Sequence, residues 1–587
     1  MDSISKDGFW GRPAHRPVIR GTRHMIASGH YLATLAGMQI LEAGGNAVDA
    51  GVAAGIALAV LQSDLVSFAG VAPIILYRAV ERDIIVLNGL GTWPRQATVE
   101  LFQREHGGEI PEGIRRTVVP AAPDAWITAL DRYGTMSFGD VAQAAIRFAR
   151  DGFPMHWFMA DRIYEHADDY RRWPTNAAIF LPGGKPPAPG QLFIQSDLGG
   201  VLQFMADEER AASQRGRHAG LMAARDAFYL GDIAQRILTF HRDNGGLLTA
   251  VDLADFQTRV EQPYSIRFQE CEVYACGPWC QGPTLLQALS LLEPFELLTL
   301  SHNSARYLHI LTEALKLSFA DRERFYGDPE FVRVPMEGLL DPEYARLRRA
   351  LIRLDRAWAE MPPPGDPTVR QFLGLGDRVE ASLEKDGVVS PGESGTSYVC
   401  VVDRNGNALS ATPSDVSFDT PVVSGTGLAI SSRGSQSRVD PGHPACLAPG
   451  KRPRLTPNPA IVLRRGRLFM PFGTPGGDVQ CQAMVQVFLN VVVFRMEPQK
   501  AVEVPRIASS SFPSSNAPYP YFPGRLNLEE GIDAAVAAEL ELLGHRIVWW
   551  PPLTWRAGAV CAIIIDPETG VMSAGADPRR EAYALGW

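Results

Sequence analysis

Cysteine is scarce. Seven in 587 residues, an odd number with no regular spacing, exclude a disulfide framework as the basis of the fold. Cys271, Cys276 and Cys280 form the one cluster. Its gaps do not match a paired Cys-x-x-Cys site and no His follows at ligand spacing, so no metal is expected. Long apolar runs are also missing. The longest, near residues 50–61 and 484–494, fall short of the ~18 residues a membrane span needs, so no membrane insertion is expected. Residues 1–17 are polar and lack the apolar core of a secretory signal, which predicts a cytoplasmic location. Basic charge is not in excess: the net charge is −9, and no basic run interleaves with aromatics, which argues against a nucleic-acid partner. Walker loops, dinucleotide fingerprints and internal repeats are absent too, so no cofactor is expected.

What is present is an ordinary globular composition, 46% hydrophobic and 21% charged, in a chain long enough for several domains or one large two-part fold. Residues 37–43 read as a helix stopped by Gly44-Gly45. A second helix, capped by Asn46 and nearly all small and aliphatic to residue 61, belongs between other layers. Residues 73–77 and 83–87 read as paired strands, 264–274 as β, and 197–206, 226–244, 281–298 and 305–324 as helices. Residues 361–394, opening on Pro362-Pro363-Pro364-Gly365, read as an exposed, mobile segment that ends directly at Gly395.

Gly395-Thr396-Ser397 enters a strand over 398–402, which is succeeded by an Asn-Gly turn at 405–406 and a returning strand over 408–412. An ordinary hairpin with a polar residue before its first strand would look the same. If the peptide bond before Thr396 were cut, however, one residue would hold a hydroxyl and a free α-amine. An amine titrating near pH ~8 can take the proton that a hydroxyl cannot lose unaided. A second constellation lies further on, where a strand over 467–472 ends in Gly473-Thr474-Pro475-Gly476-Gly477 and a helix over 479–493 begins. Gly476 and Gly477 either serve close helix–strand packing or present backbone N–H groups as an oxyanion hole. With a nucleophile and an oxyanion site on neighbouring strands of one β-rich half, the expected chemistry is acyl transfer.

The chain resembles the γ-glutamyltransferase family of N-terminal-nucleophile hydrolases. The resemblance rests on Gly44-Gly45-Asn46-Ala47-Val48-Asp49-Ala50, Glu313-Ala314 with Ala320-Asp321-Arg322, Tyr326-Gly327-Asp328-Pro329, the stretch 395–407, Pro475-Gly476-Gly477 and Gly575-Ala576-Asp577-Pro578-Arg579, in the family's order. It implies an α/β (α+β) fold of four αββα layers, made as a precursor that cuts itself between Gly395 and Thr396. The products would be a large subunit (1–395) and a small catalytic one (396–587), and a homo-oligomer of such heterodimers is compatible with it. Thr396 would be the nucleophile, Ser414 the hydroxyl that bonds it, and Gly476 and Gly477 the oxyanion donors.

The substrate pocket departs from the family. The position of the Arg that holds the substrate α-carboxylate in glutathione-cleaving members is Leu90 here. The acid that meets the α-ammonium is Gln436, a neighbouring Gln is Arg433, and the first of two serines is Leu455, followed by Thr456. Arg433 can bind a carboxylate bidentately, with Gln436 and Thr456 beside it. The expected substrate is therefore a small amide whose acyl group bears a carboxylate and no α-amine, passed to water or an amine. A true γ-glutamyltransferase or glutathione hydrolase is the nearest alternative, to be favoured by an acid facing Arg433. An uncleaved, inactive scaffold is the other.

Overall fold

The computed structural model describes residues 14–368 and 395–587. Of the segment 361–394, residues 369–394 lie outside the described residues. The part that is described is tied down rather than loose: the Met361 N–H bonds Tyr521 Oη at 2.7 Å, the Gly365 N–H bonds Asp321 Oδ1 at 3.0 Å, and Arg348 bonds the Pro363 carbonyl at 3.0 Å. Three prolines leave few N–H groups to satisfy, and neighbouring side chains take those that remain.

Two seven-stranded sheets face each other. One contains Met25–Ser28, Val399–Val402, Ala408–Ala411, Ile74–Arg78 and Asp83–Leu87 in that order. The other contains Cys561–Ile565, Arg467–Gly473, Ala460–Arg464, Cys271–Ala275 and Tyr264–Phe268. Alternation along Val399–Val402 shows how the layers are built: Val399 and Val401 join the core shared with the outer helices, while Cys400 and Val402 join the core between the sheets. A strand apolar on both faces is what a doubly covered sheet requires. Helices Tyr31–Glu42, Ala47–Leu61 and Phe138–Asp151 cover one outer face, and Gly282–Leu292, Ala305–Phe325 and Gln480–Val492 the other. The four-layer αββα arrangement is therefore present.

The helix Ala47–Leu61 is buried along its whole length. Asn46 and Asp49 close a capping box at its start, and the Ala47 N–H is taken by Asp403 Oδ2 at 3.0 Å. The other Asp403 oxygen accepts the Asn405 and Asn407 N–H groups at 2.8 and 3.0 Å. One carboxylate thus shapes the hairpin turn and pins it to the helix N-terminus, where negative charge is favoured.

Boundaries differ where glycine or proline interrupts. The helical reading over 226–244 resolves into Arg217–Tyr229 and Asp232–Asp243, broken at Gly231. The reading over 281–298 stops at Leu292. The largest difference is the loop 431–436, a polar stretch too short of apolar residues to read as core from its sequence. Ser431, Ser432, Arg433 and Gln436 are all buried there, with a 3-10 turn over Arg433–Gln436. Polar residues can be core when they find partners there: Asp415 supplies them for Ser431, Ser432 and Arg433, and Thr456 for Gln436.

Candidate active site

The hairpin register sets the first contact. Val399 pairs with Ala411, so three residues back on one strand and three forward on the other bring Thr396 opposite Ser414. Their hydroxyl oxygens are 2.7 Å apart. Both also lie within hydrogen-bond reach of the Gly395 carbonyl oxygen, Thr396 Oγ1 at 2.6 Å. Arg433 Nη2 bonds that same oxygen at 2.6 Å and also Ser414 Oγ. Arg580 Nη1 holds the next carbonyl, that of Thr396, at 3.1 Å.

Asp415 organises this cluster. Its oxygens accept Ser431 Oγ at 2.8 Å, the Ser432 N–H at 3.1 Å and Ser432 Oγ at 3.2 Å, and it pairs with Arg433 Nε at 3.2 Å. Burial pushes the Asp415 carboxyl up while Arg433 pulls it down. Its backbone φ of +136° lies in the region that L-residues avoid. Strain of this kind persists only where surrounding contacts over-determine it.

Gly476 and Gly477 lie on the facing sheet rather than on a neighbouring strand of the same one. Their strand, Arg467–Gly473, packs on the nucleophile's strand through Gly473, where a Cβ would come within 2.3 Å of the Tyr398 ring. Tyr398 Oη meets Ser410 Oγ at 2.6 Å within the hairpin, and Ser410 Oγ reaches the Phe472 carbonyl of the facing sheet at 3.5 Å. Gly476 has φ +125° and Gly477 φ +56°, conformations that glycine adopts freely. A 3-10 turn over Gly477–Val479 leads into the helix Gln480–Val492. Asp478 anchors the turn by accepting Gln281 Nε2 and Ser515 Oγ at 2.6 Å each and by pairing with Arg322.

Gly395, Gly477 and Arg433 line one cavity of about 250 Å³, with Arg116, Asp419 and Phe418 on its wall. Gln436 and Thr456 do not line it. Gln436 Nε2 bonds Thr456 Oγ1 at 3.0 Å and its Oε1 takes the Thr456 N–H at 3.3 Å, so the two buried groups satisfy each other. Leu90 packs in the core between the sheets. Asp419, which sequence reasoning passed over, pairs with Arg116 at 3.3 Å through Oδ2, while its Oδ1 is buried without a hydrogen bond. Burial pushes its carboxyl up to about 6. Asp415 and Asp419 could have been suspected from their places one and five residues after Ser414. Arg116 and Arg580 give no local signal.

Elsewhere, His309, Glu313 and His545 bring three donor atoms together. The two imidazoles bond each other at 2.9 Å and Lys316 pairs with Glu313 at 2.8 Å, joining the helix Ala305–Phe325 to His545, whose Nδ1 is buried without a hydrogen bond.

Asp64 lies with Arg162 and Arg580 in the electrostatic surroundings of the nucleophile. Burial raises its carboxyl to about 6 against the pull of both guanidinium groups. A carboxyl raised in the fold holds a proton that the unfolded chain has lost. Its contribution to stability therefore falls as pH rises from about 4 through 6. Asp64→Asn, compared with the parent by urea unfolding, is expected to gain on the order of 1 kcal/mol relative stability between pH 5 and pH 8. A pH-independent difference would contradict this.

Comparisons with known proteins identify the family. The family model described as gamma-glutamyltranspeptidase matches residues 33–587. The "Acylase ACY 1 proenzyme" of Pseudomonas sp. (strain SE83) is 32% identical over 566 residues, covering 93% of this chain and 91% of that protein. The "Glutathione hydrolase proenzyme" of Bacillus subtilis (strain 168) is 30% identical over 580 residues, covering 97% and 93%. The crystal structure of cephalosporin acylase from Bacillus halodurans superposes with a TM-score of 0.84 at 28% identity, over 98% of each chain. The chain belongs to the gamma-glutamyltranspeptidase family, and with it to the self-processing amidohydrolases and acyltransferases of the N-terminal-nucleophile fold.

Proposed function

We propose that this chain cuts itself between Gly395 and Thr396 and then uses the freed Thr396 to hydrolyse or transfer a small, carboxylate-bearing acyl group from an amide. The carrying observation is one cluster in which the Thr396 and Ser414 hydroxyls and Arg433 meet at a single carbonyl on the wall of the cavity. In turnover, the α-amine takes the Thr396 hydroxyl proton as the oxygen attacks the substrate carbonyl. Gly476 and Gly477 offer N–H groups to the oxyanion, and water or an amine releases the acyl group. The two subunits, 1–395 and 396–587, would stay together because strand Val399–Val402 is bonded to Met25–Ser28 and strand Ala408–Ala411 to Ile74–Arg78. A cytoplasmic location suits seven cysteines that are all unpaired and buried, and fractionation of the source cells tests it.

Arg433 is the group we assign to the substrate carboxylate. The relatives named acylases support a donor other than a γ-glutamyl group. A true γ-glutamyl enzyme is the second reading. The unbonded Asp419 Oδ1 on the cavity wall favours it, as does the similar identity to a glutathione hydrolase. Its carboxyl, pushed up to about 6, is a weaker anchor for an ammonium than a fully ionised one. Paired anilides decide between them: a glutaryl anilide, which has the distal carboxylate and no α-amine, is expected to show at least about tenfold higher kcat/KM than the γ-glutamyl anilide. Equal or better use of the γ-glutamyl anilide would overturn the primary reading.

A further inference from the structure

We infer that Arg433 is a catalytic residue of the self-cleavage itself, polarising the Gly395 carbonyl, and that the same guanidinium becomes available to substrate only once that bond is cut. The second half rests on the proposed carboxylate-binding role; the first stands on contacts in the uncut chain.

Around the Gly395 oxygen, Thr396 Oγ1–H can donate directly to that oxygen at 2.6 Å or to Ser414 Oγ, and the second arrangement is the one that sets up the attack. Thr396 Oγ1–H donates to Ser414 Oγ, Ser414 Oγ–H donates to the Gly395 oxygen, and an Arg433 Nη2 N–H reaches both oxygens. Each hydroxyl then donates once, as its single proton requires. The path carries a proton away from the attacking oxygen and toward the oxygen that gains charge. As Thr396 Oγ1 bonds to the Gly395 carbonyl carbon, its proton passes through Ser414 to the former carbonyl oxygen, and the adduct sits under a fixed positive charge. Collapse breaks the carbon–nitrogen bond, the adduct's hydroxyl proton passes to the departing α-amine nitrogen, and an ester joins Gly395 to the Thr396 hydroxyl oxygen. Water hydrolyses that ester, giving the Gly395 carboxylate and restoring the Thr396 hydroxyl beside a free amine.

Arg433 is fit for the task because it is held from behind. Its Nε faces Asp415 at 3.2 Å, which leaves the Nη2 edge directed at the scissile carbonyl, and both side chains are almost wholly buried. A buried guanidinium stabilises developing charge far more than an exposed one. This donor is distinct from the Gly476–Gly477 backbone, so cleavage and turnover would use different electrophiles. Until cleavage, Gly395 occupies the Nη2 position that a substrate carboxylate needs, and the precursor is self-blocked.

Two experiments test this. Freshly translated full-length chain is followed by gel for Arg433→Met and Arg433→Lys beside the parent. Cleavage is expected to slow about 100-fold or more in the Met variant and within about tenfold in the Lys variant, which keeps a cationic donor against Asp415. Ethylguanidinium added to Arg433→Ala is expected to restore part of the rate, which a purely structural role would not allow. Cleavage of a folded Arg433→Met chain within twofold of the parent rate would overturn the inference. So would a slow Lys variant, with native melting behaviour, that is no faster than Met. Calorimetry with glutarate is the second test: at least tenfold weaker binding to the uncut Thr396→Ala chain than to the cleaved parent is expected, and equal affinity would overturn the self-blocking. The failures are separable. If cleavage depends on Arg433 but the cleaved parent shows no preference for the glutaryl anilide, the cleavage role stands and the substrate reading falls. If the preference holds while Arg433→Met cleaves normally, the reverse is true.

Discussion

Replacing Thr396 by alanine is expected to leave one uncut chain and to lower amide turnover by at least about 10³-fold. The substitution removes the hydroxyl oxygen that lies 2.6 Å from the Gly395 carbonyl oxygen and across the ladder from Ser414. Thr396 is fully buried, and its backbone is held by the Ser414 bridge and by Arg580, so loss of the hydroxyl should leave the fold in place. Intact mass and gel analysis of fresh protein read the result directly: two fragments beginning at Met1 and Thr396 from the parent, one chain from the variant, with matching melting curves. An uncut parent would remove the proposed catalysis and leave the scaffold reading ahead. A variant that still cuts would place the nucleophile elsewhere, with Ser414 next in line.

The second large effect concerns stability. Arg322→Met is expected to cost about 3–5 kcal/mol, because it strands two carboxylates in the interior. Arg322 is fully buried and pairs with Asp478 through Nη1 and with Glu323 through Nη2 at 2.6 Å. It also donates to Ser515 Oγ and to the Pro513 carbonyl at 3.0 Å each, and its guanidinium lies over the Phe319 ring at 4.5 Å. Burial alone would raise the Glu323 carboxyl, yet Arg454 and Arg322 hold it well below the ordinary range. Asp478 directly follows Gly477, so the loss should also loosen the turn that offers the oxyanion N–H groups. Urea unfolding measures the stability, and the rate of any protein that still cuts itself reports on the turn. A cost below about 1 kcal/mol would mean that Ser515, Gln281 and Arg454 satisfy the two acids without Arg322.

Much of this was legible in one dimension. The Asn46–Asp49 cap, the all-small helix behind it and the Asn-Gly hairpin are local features, and local hydrogen bonds decide them. Ser414 was legible only through the family resemblance: a two-residue Asn405-Gly406 turn would set Asp415 opposite Thr396, whereas the observed loop 403–407 shifts the register by one residue and brings Ser414 there. The loop 431–436 was misjudged for a physical reason. A run of serines with an arginine has every mark of a solvated segment until a buried carboxylate from another strand saturates it, and Asp415 is such a carboxylate. Gln436 and Thr456 were expected beside the substrate, but in the fold their amide and hydroxyl close on each other away from the cavity wall.

By itself, then, the sequence determined the elements and the hairpin that carries Thr396, because turn and strand signals are local to one stretch of chain. Only the tertiary structure decided that Gly476–Gly477 comes from the facing sheet, that Arg116, Asp419 and Arg433 share one wall, and that Arg433 reaches the Gly395 carbonyl. These are meetings between segments tens to hundreds of residues apart. Packing of the two sheets brings them about, and no local pattern of residues encodes the pairing.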